Sequence, residues 1–202
     1  MMWLTTPSPA PDTLVGTESK HEAATITEED MTMGLRDRLR NDDSGAQRYQ
    51  MREQLLAIGD DYWIEDEAGR RAFKVDGKAV RVRDTFVLRD ASGQEAAKMQ
   101  ERKLRVRDSM EIERPGGNAT VHKAMVGLRD RFKIDMESGP DMSAHGNLVA
   151  HEYEIERDGD TVARVSKKWF RVRDSYGVEI TPDQDAALIL AITVCIDELT
   201  RD

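Results

Sequence analysis

The last twenty residues of the chain, DQDAALILAITVCIDELTRD at 183–202, restrict the possible folds more than any other stretch. Pro182 and Asp183 supply a helix start signal, acids fall at the first turn, and a helix of about four turns follows. From Ala186 to Ile196 only Thr193 is polar. A helix that is apolar all round has to be buried all round.

The body of the chain, from Tyr49 onward, has the texture of strands. Turn signals recur as DEAGR at 66–70, DASGQ at 90–94, RPGGN at 114–118, ESGPD at 137–141 and RDGDT at 157–161. Between them apolar and polar residues alternate. In HEYEIER at 151–157, His151, Tyr153 and Ile155 face one way and Glu152, Glu154 and Glu156 the other, the period of a half-buried strand.

A longer period overlies this one. RVRD stands at 81–84, 105–108 and 171–174, with LRDR at 128–131, so Arg83, Arg107, Arg129 and Arg173 are 24, 22 and 44 residues apart. One unit is thus about 22–24 residues, and one copy of the Arg-Asp pair is missing near 151. Two positions beyond each Asp stands a large apolar residue, Phe86, Met110, Phe132 or Tyr176; four positions beyond stands Leu88, Ile112, Ile134 or Val178. Each unit reads as one strand out, a Gly turn and one strand back. A run of equal hairpins meanders, and closing the sheet on itself removes its edges and encloses the helix.

Charge and cysteine content narrow the function classes. The net charge is −9 and the pI about 5.1, against a nucleic-acid binder that relies on general positive charge. Residues 1–46 hold nine acids and four bases and are poor in aromatics. They are expected to be a disordered acidic tail before a folded domain at 47–202. A single cysteine, Cys195, excludes an internal disulfide and a multi-cysteine zinc site, and fits a cytoplasmic location. No secretory signal or transmembrane span is expected, the longest apolar run being 186–196.

MREQLLAIGDDYWIEDEAGRRAFKVDGKAVRVRDTFVLRD, HEYEIERDG, VARVSKKWFRVRDSYGVEI and the helix DAALILAITVCID together resemble the LURP-one-related family, in order, from about Tyr49 to Leu199. That family belongs to the Tubby C-terminal-like superfamily, which includes the phospholipid scramblases. The resemblance implies a mainly β fold: a closed antiparallel barrel of about twelve strands around a central C-terminal apolar helix. For function it implies a binding or scaffolding module with no catalytic residues to carry over. Tubby-like domains bind phosphoinositide headgroups, but their lipid-binding residues match no motif in this sequence.

Four residues form the candidate site for an anionic ligand: Lys167, Lys168, Arg171 and Arg173, interleaved with Trp169 and Phe170. Clustered cations can grip phosphate oxygens, and an exposed aromatic beside lysines can anchor at a membrane interface. The opposing expectation puts Trp169 or Phe170 in the core. The RVRD arginines are expected to be structural, scattered by the winding of the barrel, with Glu101, Asp108, Glu111, Glu113 and Glu179 near enough to neutralise them and Asp84, Asp108, Asp130 and Asp174 capping strand connections. His145, His151, Glu152 and Asp141 match no metal-site spacing. No phosphate loop or nucleophile elbow is present, so no cofactor or metal is expected. The reading is a non-enzymatic module, peripheral to a membrane or bound to a protein partner. The rival is an enzyme with a rim-loop site built from carboxylates or His151.

Overall fold

The computed structural model describes residues 45–52, 61–80, 83–104, 107–124, 131–170 and 174–201, without the side chains of 78–80, 83, 84, 103, 104 and 107. The chain divides into residues 1–41 and 42–202, and the fold below lies within the second unit. The expected tail, at 1–46, falls almost wholly outside the described residues.

Twelve antiparallel strands close into a barrel: β1 (Gln47–Arg52), β2 (Tyr62–Asp66), β3 (Arg71–Val80), β4 (Arg83–Asp90), β5 (Glu95–Leu104), β6 (Arg107–Glu113), β7 (Ala119–Lys123), β8 (Arg131–Met136), β9 (Met142–Asn147), β10 (Glu152–Arg157), β11 (Asp160–Ser166) and β12 (Ser175–Ile180). Each pairs with its sequence neighbours, and β1 closes on β12 with Gln47 opposite Ile180 and Arg52 opposite Ser175. The helix α1 (Ala186–Leu199) follows β12 and fills the interior.

The alternation sets the core. Phe86, Leu88, Met110, Ile112, Phe132, Ile134, Tyr176 and Val178, the apolar pairs of the repeat, are all buried. Tyr153 and Ile155 of β10 fill the same two places in the unit that lacks its Arg-Asp pair. His151 takes the position of the missing Asp. It has a left-handed φ of 53°, and Asp174, at the equivalent place before β12, has 58°.

Helix α1 begins two residues later than its sequence signal suggests. Its N-cap is Asp185, whose Oδ1 accepts a hydrogen bond from the Leu188 amide at 3.1 Å, and no acid lies in the first turn. Asp183 is instead a turn residue with φ 64°. The cap satisfies one of the amides that a helix start leaves unpaired. Every residue from Leu188 to Asp197 is buried.

Two equivalent turns show how the hairpins are set. Asp66 Oδ1 accepts from the Ala68 and Arg70 amides at 2.9 Å each. Asp90 Oδ1 accepts from the Ser92 amide and hydroxyl at 2.9 and 2.6 Å and from the Gln94 amide at 3.0 Å. Gly69 and Gly93 take the left-handed position, φ 72° and 84°. These bonds favour the ionised carboxyls: the Arg70 amide holds Asp66 below its usual range, and the Ser92 hydroxyl does the same for Asp90.

Gly146 in β9 is required by close approach. A Cβ there would lie 2.7 Å from the Glu152 carbonyl oxygen and 2.8 Å from Tyr153 Cα, at φ 135°. In urea titrations Gly146→Ala should cost about 1–3 kcal/mol. Gly139→Ala, at φ 87° with open space around it, should cost clearly less, and equal costs would contradict the geometry. A carboxyl with a depressed folded-state pKa stabilises the fold above its unfolded pKa, and that contribution disappears as pH falls through the folded value. Asp90→Asn should therefore lower stability at neutral pH and flatten its decline in acid, read as midpoint against pH; an unchanged acid limb would contradict the turn.

Candidate functional site

Because the barrel runs strictly up and down, alternate connections share a rim. The β1–β2, β3–β4, β5–β6, β7–β8, β9–β10 and β11–β12 connections all lie at one end, here the upper rim. Asp185 at the start of α1 pairs with Arg114 of the β6–β7 connection at the lower rim. The last turn of α1 meets His151 of the β9–β10 connection at the upper rim.

This arrangement bears on the RVRD repeats. Arg81, Arg105, Arg129, Arg171 and Arg173 lie outside the described residues, as do the side chains of Arg83 and Arg107. The strands that flank these segments nevertheless all end at the upper rim: β3 with β4, β5 with β6, β7 with β8, and β11 with β12. The expectation that these arginines are scattered and structural lies outside the described residues. Three of the acids expected to neutralise them pair with cross-strand neighbours: Glu179 with Arg48 at 2.6 Å, Glu113 with Lys98 at 2.9 Å and Glu111 with Arg102 at 3.6 Å.

Rim charge follows from the sequence of these connections. Among the described residues of the upper-rim connections, the bases are Lys167 and Lys168 and the acids Asp61 and Asp174. At the lower rim, segments 67–70, 91–94, 114–118, 137–141, 158–159 and 181–185 carry two bases and six acids. The sequence of the β11–β12 connection holds four bases, the candidate residues Lys167, Lys168, Arg171 and Arg173.

Of those four, the two lysines are described. Ser166, the last residue of β11, donates its hydroxyl to Glu152 at 3.0 Å, and the Lys167 amide donates to the same carboxylate at 3.3 Å. Lys168 Nζ lies 3.5 Å from Glu152 Oε2, and its side chain is 81% exposed. One carboxylate thus joins the β9–β10 and β11–β12 connections and leaves the Lys168 ammonium in water. Trp169 and Phe170 correct the expectation of a core position. Both are half-buried and lie on the outer wall, where a Cβ on Gly177 would come within 2.8 Å of Phe170 Cε2 and 2.9 Å of Trp169 Cε3. Gly177 is there because a side chain would lift the two rings away.

Just inside the same rim is a polar cluster that sequence reasoning missed. Asp197, in the last turn of α1, is 6% exposed. It accepts a hydrogen bond from the Tyr176 hydroxyl, and His151 Nε2 lies 3.2 Å from its other oxygen. The His151 contact has the distance of an ion pair without hydrogen-bond geometry, so Asp197 Oδ1 accepts no bond among the described residues. The His151 ring stacks on Tyr176, centroids 4.2 Å apart. Burial, reinforced by the Asp197 charge, pushes the phenols of Tyr62, Tyr153 and Tyr176 well above their usual range. A signal did exist: Asp197 is one helical turn after Thr193, on the same face of a rod with no solvent side.

The residues considered for a metal do not converge. Asp141 caps the Met136 amide at 2.9 Å, Glu152 holds the β11–β12 connection and His151 points inward. His145 instead meets Glu154 and Glu156 on the outer wall.

Residues 47–197 match the profile of the LURP-one-related family. The chain belongs to the LURP-one-related family. An X-ray structure of a protein from Arabidopsis thaliana is similar over 78% of this chain and 93% of its own, with a TM-score of 0.59 and 18% identity. At that identity the likeness supports the LURP-one-related fold alone. No curated protein matches. The described residues of this LURP-one-related chain include no helix long and apolar enough to cross a membrane.

Tyr176→Phe removes the donor to a buried carboxylate. Loss of a hydrogen bond to a charged group should cost about 1.5–3 kcal/mol, measured by chemical denaturation. A variant as stable as the parent would mean that Asp197 does not depend on Tyr176.

Proposed function

We propose that this LURP-one-related barrel is a non-enzymatic, cytoplasmic binding module that engages anionic lipid headgroups through its upper rim. Lys167 and Lys168 make the contact, with Arg171 and Arg173 of the same connection. The observation that carries this reading is the contrast between the acidic lower rim and a β11–β12 connection whose sequence holds four bases and one acid. Basic groups near an anionic bilayer contribute about 1 kcal/mol each. The exposed Lys168 ammonium supports it, as does the resemblance to Tubby-like domains that bind phosphoinositides. The acidic lower rim would turn away from the bilayer.

The described His-Asp pair with Tyr176 beside it, the nearest approach to acid-base machinery, has its Asp197 and Tyr176 buried in the barrel and only a small part of His151 exposed. That supports binding over catalysis. Full-length protein should sediment with vesicles containing phosphatidylserine or phosphoinositide and not with pure phosphatidylcholine, less so as salt rises. Lys167→Glu with Lys168→Glu should weaken binding by about tenfold or more, while Arg70→Glu at the lower rim should not. Binding insensitive to salt, or equally sensitive to both rims, would overturn the proposal.

A further inference from the structure

On the outer wall, away from the rim, strands β9 and β10 bring an imidazole and two carboxylates together. His145 of β9 stands directly opposite Glu154 of β10, and Glu156 follows two residues later on the same face. One ligand atom from each can be chosen so that all lie within 4.8 Å of one another, and all three side chains are half-buried. His145 Nε2 is 3.4 Å from Glu156 Oε1.

The Glu154 carboxylate is presented by a second layer of contacts. Glu154 accepts from Arg164 Nε at 3.0 Å and from the Thr161 hydroxyl at 3.1 Å, both from β11. The β10–β11 register shifts between Ile155 and Glu156, so Glu154 faces Arg164 while Glu156 faces Thr161. A bulge of this kind re-aims a side chain. The His145 ring has no such anchor: its Nδ1 is buried and makes no hydrogen bond among the described residues. The protein's own bonds orient Glu154 and leave the imidazole to be fixed by something the three residues would share.

We propose that His145, Glu154 and Glu156 form a binding site for a first-row divalent cation of the Zn2+ and Co2+ class. One nitrogen and two carboxylate oxygens suit such an ion, where Mg2+ or Ca2+ would favour oxygen alone. Three protein ligands on one sheet face leave the outward positions to water. Thr161 and Arg164 are positioning residues that orient Glu154, as second-layer groups do at metal sites. Arg164, and Arg131 opposite His145 on β8, supply positive charge that moderates affinity. The site is independent of the lipid-binding reading.

The test uses full-length protein freed of metal by a chelator and then titrated with Co2+ alone by visible absorption and with Zn2+ alone by calorimetry. One equivalent should bind with ligand-field bands of a nitrogen and oxygen site. His145→Gln and Glu156→Gln should each weaken it at least about tenfold, and Thr161→Ala should weaken it without changing stoichiometry. His122→Ala should leave it unchanged; it removes the other outward imidazole-carboxylate pair, His122 Nδ1 to Asp135 Oδ2 at 3.5 Å. Circular dichroism will confirm that each variant folds. No binding, wild-type titration in both His145→Gln and Glu156→Gln, or loss in His122→Ala would overturn the assignment.

Discussion

A helix without a polar face stays out of water only if a wall surrounds it, and the rest of this molecule follows from that requirement. The buried stretch Leu188–Asp197 spans the turns of α1 on every side. Each Leu or Ile so enclosed contributes roughly 1.5–3 kcal/mol relative to exposure. The partner is a sheet whose inner face alternates through all twelve strands, and whose closure leaves no edge on which another chain could pair. The helix and the inner face of the sheet form one apolar core.

Closure has a second consequence, one of direction. Twelve strands in simple succession send every second connection to the same end, so a motif repeated once per hairpin returns to the same rim each time. The Gly turns at the lower rim are placed by this rule. In a chain with net charge −9, the described lower rim is thereby dominated by acid. The upper rim receives the end of α1. There Asp197, Tyr176 and His151 meet, and neighbouring Glu152 holds the β11–β12 connection.

Much of this was legible beforehand because it rests on periodicity. The apolar positions two and four beyond each Asp, the Gly turns and the unrelieved apolar helix each fix a face or a connection, and together they leave one architecture. What escaped depends on contacts between distant segments. Asp197 looked like the end of the apolar run; only the enclosing wall shows that it is buried, and its partners come from β12 and the β9–β10 connection. The expectation that Trp169 or Phe170 is core fails because Gly177 on β12 makes room for both rings outside. The His145 cluster was hidden because its ligands are paired across strands, a register that sequence spacing does not reveal.

The enclosure of α1 is tested most directly by its thiol. Cys195, the single cysteine in the sequence, is fully buried, and burial pushes its pKa well up. In native buffer a small thiol reagent should modify it only as fast as the barrel opens, with the rate rising in parallel with unfolding as denaturant is added. Rapid, stoichiometric labelling of the native protein, at the rate of a free cysteine, would show that the helix is not enclosed and would contradict the account.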